Sequence, residues 1–72
     1  MTEAFPPELE EKARAFIDSL KASLKVRRYA EAYLEHLVRG EPEPQEFKAG
    51  HGQPSFNYLR MRIKRIVNGE DT

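Results

Sequence analysis

The chain has 72 residues, enough for one domain whose core sits near the lower limit for folding alone. Twelve acids balance twelve bases, and this zero net charge counts against coating nucleic acid through bulk charge while leaving open a local basic face. There is no Cys to form a disulfide or thiolate metal site, and no apolar run nears the ~18 residues of a membrane-spanning helix.

The opening Met-Thr-Glu-Ala-Phe-Pro-Pro has no basic n-region and no apolar h-region, so no signal peptide is expected and the expected location is cytoplasmic. A first helix is predicted over 7–24. Pro7 suits the first helical position, and Glu8, Glu10 and Glu11 place negative charge at the positive end of the helix dipole. Leu9, Ala13, Phe16, Ile17, Leu20 and Leu24 fall within about 100° of one another on a helical wheel. Glu8–Lys12 and Glu10–Arg14 are i,i+4 pairs in the favourable order, worth about 0.2–0.5 kcal/mol each.

A second helix is predicted over 25–39. No Gly or Pro separates Pro7 from Gly40, so one continuous helix is the alternative. A break near Ser23–Val26 is favoured because the stripe of Val26, Ala30, Tyr33, Leu34 and Leu37 is rotated by roughly 80° from the first. Ser23 can also cap a new N-terminus. Arg39-Gly40 is a stop signal, with a base in the last turn and Gly placed for a left-handed cap.

The connection 40–54 is rich in Pro and Gly. Pro44–Ala49 is expected to form one short turn, pinned to the core by Phe47, and Gly50-His51-Gly52 a flexible tip. Pro54 and Ser55 open the third helix, predicted over 55–68 and stopped by Asn68-Gly69. Phe56, Leu59, Ile63, Ile66 and Val67 share an arc of about 100°, a core-facing stripe. Arg60 and Lys64 flank it on one side and Arg62 on the other, while Arg65 shares the outer face with Asn57, Tyr58 and Met61. The fold expected is all-α: one domain over 1–72, a helical hairpin followed by a basic amphipathic helix, with frayed ends at 1–6 and 69–72.

Charge is segregated in blocks. Residues 1–18 hold five acids and two bases, 19–28 four bases and no acid, 29–46 five acids and one base, and 47–69 five bases and no acid. Either the blocks pair with one another, within the bundle or across a dimer, or the two basic ones converge on a single phosphate-binding surface. Convergence requires the middle of the last helix to pack against the corner carrying Lys21, Lys25, Arg27 and Arg28.

A helix-turn-helix needs a turn of three or four residues, which only the Ser23–Val26 corner offers. Helix two then becomes the recognition helix, with Arg27 and Arg28 near its start, but Glu31 and Glu35 follow and repel phosphate. Ala-Phe-Ile-Asp-Ser-Leu-Lys-Ala-Ser, followed by Arg-Tyr-Ala-Glu-Ala-Tyr-Leu-Glu-His-Leu, resembles the DNA-clamping N-terminal domain of tyrosine recombinases over less than half of the chain. The Pro-rich connection departs from that pattern, and the resemblance carries no functional residue across.

No catalytic residue, metal ligand or cofactor is expected. His36 and His51 lie far apart with no Cys, short of any metal-ligand spacing, and Gly50-His51-Gly52 lacks the spacing of a phosphate loop. A chain this small has little room for a substrate pocket. A basic helix on a lipid surface has the bases but no Trp, and its apolar stripe is needed for the core. The expectation is a non-enzymatic nucleic-acid-associated module, a small regulator in type. Arg60, Arg62, Lys64 and Arg65 contact phosphates, Arg27 and Arg28 extend the footprint, and Tyr58 stacks or packs at its rim. The alternative is a protein-interaction module or homodimeric adaptor, motivated by Tyr29, Tyr33, Tyr58 and Met61 as apolar surface beyond core needs. Neither reading involves a small-molecule substrate or a membrane.

Overall fold

The structure, a computed structural model, describes residues 6–70, so the fraying expected at 1–5 and 71–72 lies outside the described residues. Three helices pack against one another: α1 Pro7–Asp18, α2 Leu24–Arg39 and α3 Phe56–Val67, with no strand among the described residues. The all-α, three-helix expectation holds. Pro6 is part of the fold rather than of a frayed end, because its carbonyl accepts from the N–H groups of Leu9 (3.2 Å) and Glu10 (3.3 Å).

The first helix ends at Asp18, well before the predicted residue 24. Its last turn tightens as the Ser19 N–H donates to the carbonyls of Ala15 and Phe16, and the Ser19 hydroxyl donates to the Phe16 carbonyl (2.8 Å). Orphan carbonyls are thereby satisfied without a glycine. Leu24, counted on the first helix's core stripe, instead opens α2 and is 62% exposed. The break itself, and the cap at Ser23, are as expected: Ser23 Oγ accepts from the Val26 N–H (3.3 Å). Gly40 takes the left-handed conformation that the stop signal implied, at φ 74°.

Two linked apolar clusters make up the core. One joins Ala13 and Ile17 of α1 to Ala30, Tyr33 and Leu34 of α2 and to Ile63, Ile66 and Val67 of α3. The other joins Val26 and Tyr29 to Phe56 and Leu59. The start of α3 thus meets the start of α2, and its end meets the second half of α2, so these two helices run parallel. Parallel neighbours require a crossover. At 1.5 Å per residue α2 is about 24 Å long, and the chain must return that distance before α3 begins.

The connection makes that return as an extended strap. The short turn expected at 44–49 is absent: Pro42 and Pro44 hold Glu41 and Glu43 extended, no regular structure follows up to Gly50, and only His51-Gly52 turns. Phe47 pins the strap as expected, its ring 5.0 Å from that of Phe56 and 6.3 Å from that of Tyr29. Ser55 caps α3 by accepting from the Tyr58 N–H (3.1 Å), which settles its role relative to Pro54. At the other end, Gly69 (φ 76°) donates to Ile66 and Glu70 donates to Arg65 (2.8 Å). This paired closure of the last turn orders Gly69 and Glu70, which were expected to fray.

Candidate nucleic-acid interface

α3 lies against both other helices with Leu59 and Ile63 fully buried, so its stripe is consumed by the core and its outer face is what remains. Met61, Lys64, Arg65 and Asn68 are exposed along that face. Tyr58 is 40% exposed and Met61 46%. An open groove beside them is lined by Tyr33, Asn57, Arg60, Met61, Lys64, Arg65, Asn68 and Glu70.

The structure treats the expected phosphate contacts differently. Arg60 is drawn inward: its guanidinium donates to the Tyr29 hydroxyl (2.7 Å), to the Glu46 carboxylate and to Asn57 Oδ1. The Tyr29 hydroxyl, and after it Glu46, favour the charged form and raise the Arg60 pKa above its usual value. Arg62 is half-buried at the α1 edge, its guanidinium carbon 5.3 Å from the centroid of the Phe16 ring. Lys64 and Arg65 are exposed.

Arg27 and Arg28 sit on α2, half-buried and exposed respectively, and the next turn of their helix carries Glu31. The basic corner meets the start of α3 rather than its middle, through Val26, Phe56 and Leu59. Lys25 lies over the Phe47 ring of the strap at 5.5 Å. Tyr58, Arg62, Lys64 and Arg65 therefore share one element, while Arg27 and Arg28 belong to another.

Two bases are engaged elsewhere. Arg14 and Arg39 both pair with Glu10 (2.9 and 3.1 Å) and with Glu35 (2.7 and 2.8 Å), which fastens α1 to α2. Hydrogen bonds from Arg14 first and Arg39 second hold the Glu10 carboxyl below its usual value. These contacts run alongside those of Ala13 and Ile17 with the second half of α2, so the two helices form a closed hairpin rather than the splayed pair of a helix-turn-helix. Tyr29 and Tyr33, two of the four residues that suggested an interface, are core, each 4% exposed.

Sequence spacing could not reveal the groups that hold Arg60 or the strap. Tyr29 and Glu46 are distant in the chain from Arg60. Gln53 is likewise far along the chain from Ser23, whose N–H it accepts (2.8 Å). The described residues include no group of three His, Asp or Glu that could hold a metal ion. None of the described helices is long and apolar enough to cross a membrane. Comparison with protein-family models, curated proteins and solved structures finds no match, so the resemblance to tyrosine recombinases gains no support.

Proposed function

We propose that this chain is a non-enzymatic nucleic-acid-associated module that contacts phosphates through the outer face of α3. One observation carries the reading: Tyr58, Met61, Lys64 and Arg65 are exposed on a helix whose apolar side is fully used, with no acid between residues 47 and 69. Arg62 adds charge at the edge, whereas Arg60 serves the fold. Long flexible bases beside an exposed aromatic suit phosphate contact with packing against sugar or base.

Fluorescence anisotropy with labelled DNA and RNA tests it, titrated at about 50 and 200 mM salt, where phosphate contacts lose affinity steeply. Binding is expected at the lower salt and weaker at the higher. Lys64→Ala and Arg65→Ala should each flatten the salt slope by about 0.9 for every duplex phosphate that the variant no longer neutralises. Absence of binding at the lower salt defeats the reading.

The protein-interaction reading retains the exposed Tyr58 and Met61 as its support. A symmetric dimer through this face would set Arg62, Lys64 and Arg65 against their own copies, and like charges across an interface cost affinity.

A further inference from the structure

We infer that α3 is a helix for reading the major groove of duplex DNA, a step that rests on the nucleic-acid reading above. Met61, Arg65 and Asn68 follow at i, i+4 and i+7, so they form one row along the crest of its outer face, and all three are exposed. Lys64 flanks the crest on the side of the groove that reaches Tyr33 of α2. Arg62 flanks it on the other side, over Phe16 of α1. Lys12, exposed and one turn ahead of Phe16 on the same face of α1, adds charge to that edge. The surface is therefore a convex ridge with positive charge along both edges and hydrogen-bonding groups along its crest.

A major groove has the complementary form. It is about 12 Å wide, admits a helix about 10–12 Å across, and carries a phosphate strand on each side. On this fit Lys64 and the Arg62–Lys12 edge face opposite strands. Arg65 is placed to donate to a guanine edge, Asn68 to an adenine edge and Met61 to cover a thymine methyl.

The alternatives within nucleic acid fit less well. Single strands need a series of stacking platforms, but Tyr29, Tyr33 and Phe56 are buried and Tyr58 stands as the exposed ring of this face. The A-form major groove of duplex RNA is too deep and narrow for such a ridge. Two acids oppose the fit: Glu70 lines the same groove as Lys64 and Arg65, at the end of α3, and Glu8, exposed one turn ahead of Lys12 on α1, offsets part of that edge's charge.

The test uses the whole chain at about 50 mM salt with three labelled probes: a mixed-sequence duplex of about 20 base pairs of DNA, one of its strands, and the same duplex as RNA. The DNA duplex is expected to bind at least tenfold tighter than the other two. Glu70→Gln should tighten that binding severalfold, by removing repulsion. Selection from a random duplex library should then return a preferred site. Lys64→Ala should weaken all sites alike, whereas Arg65→Ala should relax the preference at one position. Each variant's thermal unfolding checks that it folds, as expected for exposed positions.

Equal or tighter binding of the single strand or of the RNA duplex overturns the inference and leaves the broader reading standing. So does a library selection that returns no preference. No binding to any probe overturns both.

Discussion

Arg60 is where the strap, α2 and α3 close on one another. Its guanidinium reaches Tyr29 on α2, Glu46 on the strap and Asn57 on α3. Replacing it by Ala leaves the Tyr29 hydroxyl without this donor and releases Glu46, so the melting temperature should fall while the salt slope of DNA binding stays unchanged. Circular dichroism melting and anisotropy together check this. Unaltered melting with a flatter slope would return Arg60 to the interface. Glu10 gives a second test, through pH. Its folded pKa lies below the ordinary value for a glutamate, so its contribution is present above that ordinary value and is lost as pH falls through the folded pKa. Glu10→Gln should therefore lower the melting temperature at neutral pH and have little effect in strong acid, below the folded pKa. The loss at neutral pH should also shrink in salt of about 1 M, because Arg14 and Arg39 are 41% and 49% exposed and their pairing is screened. Equal losses at both pH values would assign the effect to packing.

Each of the three helices is started by a device that its own residues supply, and α2 receives one more from a distance. Ser23 and Ser55 satisfy the N–H groups of Val26 and Tyr58. In a capping box, a Glu or Gln at the third helical position turns back to the N-cap N–H. Val26 occupies that position in α2 and is apolar, so Gln53 of the strap accepts the Ser23 N–H instead. Ser23→Ala and Ser55→Ala should each cost about 1 kcal/mol, a fall of about 4–8 °C for a domain of this size. Gln53→Ala should cost about 0.5–1.5 kcal/mol, one hydrogen bond's net worth. It should also loosen the strap, read as faster hydrogen exchange at the Ser23 amide. Unchanged exchange there would show that Phe47 and the Arg60–Glu46 pair hold the strap without Gln53.

The whole molecule closes its core within one chain. Ala13, Ile17, Val26, Ala30, Leu34, Leu59 and Ile63 are fully buried by the three helices and the strap. Leu24, Tyr58 and Met61 are the large apolar side chains left exposed among the described residues, on separate elements or along one basic face. Analytical ultracentrifugation at micromolar concentration should therefore find a monomer, with a melting temperature independent of protein concentration. A dimer under those conditions would restore the adaptor reading, and its interface would have to offset the repulsion among Arg62, Lys64 and Arg65.

Periodicity and caps act over three or four residues, so the sequence by itself determined the three helices, the stripe of α3, the Ser23 break and the Gly40 stop. It also placed Tyr58, Arg62, Lys64 and Arg65 on one helix. It misjudged the end of α1 because the Leu20–Leu24 spacing continued a pattern that the Ser19 hydroxyl terminates. Only the tertiary structure decided which charges remain available. Arg60 is taken by Tyr29 and Glu46, and Arg14 and Arg39 by Glu10 and Glu35. The Arg14 and Arg39 pairings depend on α1 folding back along α2, and those of Arg60 on the direction in which α3 runs. The extended strap sets that direction, by carrying the chain back along α2, and no local spacing encodes it.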